Sequence, residues 1–194
     1  MLSVVIATRD CERALVPTLA TLVAGAAGGI IREVIIADGG STDDTAEVAN
    51  IAGCEVKISA APAAERLRVA TASARGSWIL FLTPGTVLDA TWVAETSRFV
   101  EQTELRGLAE QRAAVFRKVP AAGTERPIFV EALALLRAAL GGRPRPEQGL
   151  LIFKRLYDRI GGHRDGVTDP QADLIARLGR RRIAMLRSGA AGIM

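Results

Sequence analysis

The sequence predicts a three-layer α/β/α sandwich built on a mostly parallel twisted sheet, and three observations carry that expectation. β-branched runs alternate with helical stretches at short spacing through residues 1–90, which is the pattern of a doubly wound parallel sheet. The run Glu33-Val34-Ile35-Ile36-Ala37 passes directly into Asp38-Gly39-Gly40, as a strand does when it stops at a sheet's carboxyl edge. Hydrophobic residues make up 49% of the chain but aromatics only 4%, so the core must come from Val, Ile, Leu and Ala, as in a sheet buried between helices.

Leu2 to Ala7 is the first buried strand. Glu12 to Ala26 follows as a helix with Leu15, Leu19, Leu22 and Val23 on one face; Pro17 suits it if it falls in the first turn, and Gly28-Gly29 ends it. Glu33 to Ala37 is the second strand and Asp43 to Ala52 the second helix, capped by Ser41 or Thr42 and closed by Gly53. Glu55 to Ile58 gives a short third strand, Ala63 to Ala74 a helix ending at Gly76, and Trp78 to Leu82 the fourth strand. Next come a helix from after Thr91 to about Arg106, a strand from Ala113 to Val119 and a loop from Pro120 to Arg126. A helix from Ile128 leads into the turn-rich Gly141-Gly142-Arg143-Pro144-Arg145-Pro146. Leu150 to Phe153 is a strand, Arg155 to Ile160 a short helix, Asp173 to Leu178 the final helix and Arg182 to Leu186 the final strand. No repeat or low-complexity linker interrupts the chain, so residues 1–194 are expected to form one domain.

A chain of 194 residues can bury a core without disulfide or metal staples. Cys11 and Cys54 stand in no metal-ligand or redox spacing, which suits reduced thiols and a cytoplasmic setting. The first residues lack the basic flank of a signal peptide, and no apolar run reaches the length of a membrane span. The longest apolar segment, Ile128 to Leu140, is interrupted by Glu131 and Arg137 and reads as a core-facing helix. Its alternative uses are a peripheral contact with the inner membrane face and a homodimer contact. The net charge of +4 is concentrated at Arg180, Arg181, Arg182 and Arg187, a solvated face that also offers attraction for phosphates or anionic lipid. No nucleic-acid motif accompanies it, and a single Tyr leaves little for base stacking, so nucleic acid is not an expected partner.

Chemistry is expected at the carboxyl edge of the sheet. Asp38 can accept a hydrogen bond from a nucleobase imide there, with the glycines after it admitting a ligand close to the backbone; its plainer role is to cap the next helix. Arg9 offers a guanidinium that stacks on a base or pairs with a phosphate, or is a surface arginine. His163, the one histidine, reads as a surface residue, with service as a base or ligand as the alternative. Trp78 and Trp92 read as core or pocket wall.

Ser3-Val4-Val5-Ile6-Ala7-Thr8, the Glu33–Thr45 segment and Ala74-Arg75-Gly76-Ser77-Trp78-Ile79-Leu80-Phe81-Leu82 together resemble the family 2 glycosyltransferases, which have the Rossmann-like GT-A fold. The resemblance implies a nucleotide-binding half over 1–90 and an acceptor-side half over 91–194. It implies that Asp38 and Thr8 flank the uracil of a UDP-sugar and that Arg9 stands where the family carries another residue before an asparagine. It also implies an arginine near the diphosphate, Arg66 in preference to Arg68, which would neutralise the leaving group. The family's strand normally continues as Asp-x-Asp, whose carboxylates hold a divalent Mg or Mn; this chain continues Thr83-Pro84-Gly85-Thr86, and Asp89 lies too far along to replace them. Glu147-Gln148-Gly149 resembles an acidic-Gln-Gly element of a bacterial subgroup, and Leu156–Gly162 the acceptor-side Gly-Gly turn. Asp169–Leu178 is similar to a pattern of Glu-Asp-x-Asp-Leu followed by Arg-Leu, with the Glu-Asp pair replaced by Pro170-Gln171. That pair supplies the general base, which glutamine cannot do, so Asp169 is the expected substitute, with Asp165 and Asp173 behind it; Asp169 alternatively caps a proline-started helix. The implied function is transfer of a sugar from a nucleoside diphosphate donor to a hydroxyl acceptor with inversion. The alternative is a catalytically degenerate relative that binds a nucleotide or a partner protein.

Overall fold

The computed structural model describes residues 1–120 and 144–192. The loop expected after Pro120, the apolar segment Ile128–Leu140 with its membrane or dimer uses, and the start of the Gly141–Pro146 turn lie outside the described residues. Eight strands form one sheet: β1 (Leu2–Thr8), β2 (Ile31–Asp38), β3 (Glu55–Ile58), β4 (Trp78–Leu82), β5 (Thr86–Leu88), β6 (Ala113–Val119), β7 (Leu150–Phe153) and β8 (Ile183–Gly192), in the spatial order β3-β2-β1-β4-β7-β6-β8-β5. The pairs β2–β3, β1–β2, β1–β4 and β6–β8 are parallel, while β7 opposes both β4 and β6, and β5 opposes β8. Only β5 and β7 therefore run against the rest, as the sequence led us to expect of a mostly parallel sheet. The chain moves outward from β1 to β2 and β3, then returns to place β4 on the other side of β1. That reversal opens a crevice at the carboxyl end of β1, the usual ligand position in open α/β sheets.

Alternate residues of the central strands face opposite layers. On one side Val4, Ile6, Ile36, Leu80 and Leu82 pack against Leu15, Leu19 and Leu22 of α1 (Glu12–Ala27), Ala49 of α2 (Thr45–Ile51) and Trp92 of α4 (Trp92–Leu105). On the other, Val5, Ile35, Ile79 and Phe81 pack against α3 (Ala63–Ser73), α5 (Lys154–Arg159) and α6 (Pro170–Leu178) through Leu67, Leu156, Leu174 and Ile175. This is the three-layer sandwich. Trp78 and Trp92 are core residues, their indole N–H groups satisfied by Glu104 and by the Thr21 carbonyl.

Some local expectations are corrected. Pro17 falls in the second turn of α1 rather than the first. Val23 is exposed, and the buried face of α1 is completed by Thr18 and Gly25, where a Cβ would strike Trp92. α2 begins two residues later than expected because Asp43 accepts from the Thr45 N–H and hydroxyl, folding residues 41–44 into a turn. α6 begins at Pro170, not Asp173. β5 was not expected, and β8 runs six residues beyond Leu186 because its tail pairs with both β5 and β6. Among the described residues no helix is long and apolar enough to cross a membrane.

Candidate functional site

Thr8 and Asp38 are register partners at the last positions of β1 and β2, so the sheet itself brings them together. Both are buried, at 2% and 0% exposure. Asp38 Oδ1 accepts from the Thr8 hydroxyl at 2.8 Å and the Ser41 hydroxyl at 2.6 Å, and Oδ2 from the N–H groups of Gly40 at 2.9 Å and Ser41 at 2.8 Å. Burial pushes this carboxyl up, but the hydrogen bonds from Ser41, Thr8 and Gly40 outweigh it and hold it below the ordinary aspartate value. Its acceptor capacity is spent on its own chain, so its first task is to fold the Gly39–Ser41 turn at the crevice.

A second loop is sewn to that turn. Asp10 adopts a left-handed φ of 45°, which aspartate tolerates better than most residues. Its N–H donates to Ser41 Oγ at 2.9 Å, and its Oδ1 accepts from the N–H and hydroxyl of Thr42 at 2.7 and 3.1 Å. The Cys11 N–H donates to Thr45 Oγ1, the Glu12 N–H to Asp43 Oδ2, and the Asp44 N–H to Glu12 Oε2. The loops after β1 and β2 thus form one braced unit, with Arg9 projecting from it at 71% side-chain exposure. The Arg9–Asp10 approach of 3.9 Å at an exposed position contributes little.

Arg66 enters from α3. Its Nη1 donates to the carbonyls of Thr8, at 2.9 Å, and Ala37, and its Nε to the Ala61 carbonyl at 3.1 Å. The guanidinium thereby bridges the ends of β1 and β2, while Nη2 has no hydrogen-bond partner among the described residues. A Cβ on Gly39 would lie 3.0 Å from Nη2, so the glycine is there to make room. Burial pulls the Arg66 pKa down, Asp38 opposes this, and the nearby charge of Arg9 adds to it. Two cations at the strand reversal, Arg66 held across the strand ends and Arg9 exposed on the loop after β1, beside an already saturated carboxylate make a site suited to an anion. Arg68, the less favoured candidate, is committed elsewhere: it grips both oxygens of Asp165 at 2.9 Å and the His163 carbonyl.

Where the resemblance would place a metal, the side chains do not fit one. The Thr83 and Thr86 hydroxyls pair with each other at 2.9 Å, and the Gly85 N–H docks onto α1 through Ala14 O and Thr18 Oγ1. Asp89 is taken up by the Thr91 N–H and hydroxyl and by the Gly189 N–H, tying the start of α4 to β8. Among the described residues no group of three or more His, Cys, Asp or Glu is arranged to hold a metal ion.

On the second-half side, Asp169 caps α6, its Oδ1 accepting from the N–H groups of Gln171 at 3.0 Å and Ala172 at 2.9 Å. Asp169 is exposed, and its Oδ2 has no hydrogen-bond partner among the described residues. Asp165 is paired with Arg68 through both oxygens and Asp173 with Arg177 through Oδ2, so of the three carboxylates only Asp169 is in no ion pair among the described residues. Gln171 is buried, and its Nε2 has no partner among the described residues. Gln148 is also buried and bonds the Phe116 carbonyl at 2.7 Å, while Gly149, at a φ of 65°, lies where a Cβ would strike Leu82.

His163 corrects the reading of a surface histidine: it is 1% exposed, edge-on to Phe81, with Nδ1 2.9 Å from the Tyr157 hydroxyl and Nε2 without a partner among the described residues. Burial, with the charges of Arg177 and Arg68 behind it, pushes its pKa down to about 3, so it is neutral at physiological pH. Residues that sequence reasoning missed are Ser41 and Asp10, which build the braced turn. The Asp38-x-x-Ser41 spacing, a side-chain turn motif, was the signal available. A surface groove of about 680 Å³ bounded by Met1, Ile30, Trp78, Thr96 and Leu105 lies at the sheet's opposite, amino edge. The strand reversal and the two arginines beside it outweigh groove size in placing the site at the carboxyl edge.

Comparison with known proteins gives a match of residues 3–119 to the family model described as glycosyl transferase family 2. No curated protein matches. Glucosyl-3-phosphoglycerate synthase from Mycobacterium tuberculosis, solved with Mn2+, UDP and glucosyl-3-phosphoglycerate, is 21% identical, with a TM-score of 0.67 over all of this chain and 72% of that one. TarS residues 1–349 from S. aureus are 14% identical, with a TM-score of 0.68 over 98% of this chain and 60% of that one. The same S. aureus fragment in complex with UDP-GlcNAc is 15% identical, with a TM-score of 0.67 over all of this chain and 59% of that one. This chain thus spans about three fifths of the TarS fragment. Likenesses at this identity establish a shared GT-A-like fold.

Proposed function

The chain belongs to glycosyl transferase family 2, and from that premise we propose that it binds a nucleoside diphosphate sugar, a UDP-sugar in the first instance, and transfers the sugar to a hydroxyl acceptor with inversion. The observation that carries the reading is Arg66 bridging the ends of β1 and β2 at the strand reversal, beside the turn held by Asp38 and the loop that bears Arg9. Residues 1–90 hold the donor in this reading, and residues 91–194 present the acceptor. Thr8 and Asp38 wall the base pocket; a base imide reaches Asp38 only by displacing one of its present donors, so the braced turn itself is the main recognition element. Relatives of the same fold were solved with UDP or UDP-GlcNAc, which agrees with such a ligand.

Inverting transfer needs the acceptor oxygen to attack the anomeric carbon opposite the departing diphosphate, losing its proton as it does so. Arg66 Nη2 and the Arg9 guanidinium would receive the negative charge developing on the leaving group. Oδ2 of Asp169, which neither the helix cap nor a cation occupies, would take the acceptor proton. The Thr83–Thr86 turn offers only hydroxyls, a poor ligand set for a divalent metal.

The same turn, with Gln171 in place of a carboxylate, favours a second reading in which nucleotide binding persists without turnover. Release of UDP from UDP-glucose and UDP-GlcNAc in the presence of small hydroxyl acceptors separates the two. The enzyme reading expects release that disappears in Asp169→Asn with UDP affinity unchanged. Absence of release with every donor and acceptor, while UDP still binds, would establish the second.

A further inference from the structure

The sheet's amino edge carries a charged cleft that the reading above does not use. Arg112 stands just before β6, Arg181 and Arg182 just before β8, and Arg159 at the end of α5; with Glu110 they line a cavity of about 260 Å³. Four guanidinium groups thus face one carboxylate. That carboxylate is already claimed, its Oε2 by Arg159 and its Oε1 by Arg155 at 3.6 Å. Arg112, Arg181 and Arg182 form no ion pair among the described residues, so the lining carries uncompensated positive charge.

The cleft is also held in shape. Arg112 Nη1 donates to the Arg181 carbonyl at 3.0 Å, the Ala113 N–H to the Arg182 carbonyl at 2.8 Å, and Arg159 Nη1 to the Glu110 carbonyl at 3.3 Å. The turn before β8 is therefore pinned to the start of β6, and the arginines are displayed from fixed backbone. Like charges gathered on a fixed frame repel one another unless an anion joins them. Guanidinium forks match phosphate oxygens geometrically, and the cavity has room for several water-sized groups, each about 30 Å³. No aromatic side chain lines it, which leaves nothing for a base to stack on.

We propose that this cleft is a second anion site that takes a phosphate group, independent of the carboxyl-edge site and on the opposite edge of the sheet. Two sources supply that chemistry, a free phosphate or diphosphate and the headgroup of an anionic lipid. Calorimetric titration of the intact chain with inorganic pyrophosphate tests the first. Co-sedimentation with phosphatidylglycerol vesicles against phosphatidylcholine vesicles tests the second.

The expected result is binding in one arm that weakens about tenfold or more in Arg181→Ala/Arg182→Ala and persists in Arg66→Ala, since charge-assisted hydrogen bonds are lost only in the first. Arg181 and Arg182 are exposed, so their truncation leaves the fold intact, and an unchanged melting temperature checks this. Binding only to phosphatidylglycerol vesicles assigns the headgroup, and binding to pyrophosphate assigns the free anion. Absence of binding in both arms overturns the proposal. So does equal sedimentation with neutral vesicles, or pyrophosphate binding that is abolished by Arg66→Ala and untouched by the double substitution.

Discussion

Replacing Asp38 by alanine tests what the turn at the crevice rests on. The substitution leaves the Thr8 hydroxyl and the N–H groups of Gly40 and Ser41 without their acceptor. Gly40 is exposed and its N–H can turn to water, so the loss falls mainly on Thr8 and Ser41. With about 1–3 kcal/mol for the buried Thr8 donor and about 1 kcal/mol for the half-buried Ser41, the cost is roughly 2–4 kcal/mol. At about 2–4 °C per kcal/mol for a chain of this size, the melting temperature should fall by roughly 5–15 °C. Asp38→Asn keeps one oxygen for the two N–H groups and turns its NH2 toward two hydroxyls that can accept, so it should cost only about 1 kcal/mol. The same pair of variants reports on acid stability. A carboxyl held below its ordinary value of 3.8 contributes fully above that pH and loses its contribution as the pH falls through the depressed folded value. Asp38→Asn should therefore flatten the acid limb of the stability curve. Thermal melts of both variants over a pH series make the measurement. Equal stability of the alanine and wild-type chains would refute the view that this carboxylate organises the turn.

Gly39→Ala should push the Arg66 guanidinium aside, because the new methyl would lie 3.0 Å from Nη2 and the flexible end gives way. UDP affinity should then drop about tenfold for one lost charge-assisted contact, with the fold retained; unchanged affinity would remove Arg66 from the site. Asp169→Ala should destabilise α6 by about 1 kcal/mol as a lost cap while Asp169→Asn costs little, and equal melting temperatures for the two would contradict the capping geometry. His163 is the only histidine, so its imidazole proton resonance is unambiguous: it should show no titration near its ordinary 6.5 and shift only as the pH nears about 3. Because the unfolded chain takes up that proton first, stability should decline as the pH falls from 6.5 toward about 3, a slope absent in His163→Phe. A midpoint near the ordinary value would show the ring to be exposed.

The central strands were legible because their β-branched runs are buried on both sides and carry the pattern without help from neighbours. β5 and the tail of β8 were not, since Thr86-Val87-Leu88 is short and Ser188-Gly189-Ala190-Ala191-Gly192 has little strand propensity; pairing between them, and with β6, makes the strands. Asp38 was visible as a carboxylate at a strand end. That Thr8, Gly40 and Ser41 saturate it depends on the register of β1 with β2, which residue spacing does not reveal. His163 sits in a loop of Gly, Arg and Asp and so reads as exposed. Its burial comes from Arg68, 95 residues away in the chain, and from Arg177 on the helix that follows, which clamp that loop by its carbonyls. Arg66 was visible as an arginine in the segment that becomes α3, but its grip on two strand ends needed coordinates.

In the proposed function the carboxyl ends of β1 and β2 form a nucleotide pocket in which Arg66 meets the diphosphate without a divalent metal. Calorimetric titration of UDP into the wild-type chain and Arg66→Gln, each in the presence of a metal chelator, tests it most directly. Saturable binding to the wild-type chain and at least about tenfold weaker binding to the variant are expected. Identical affinities for the two proteins, or no wild-type binding until manganese is restored, would contradict it.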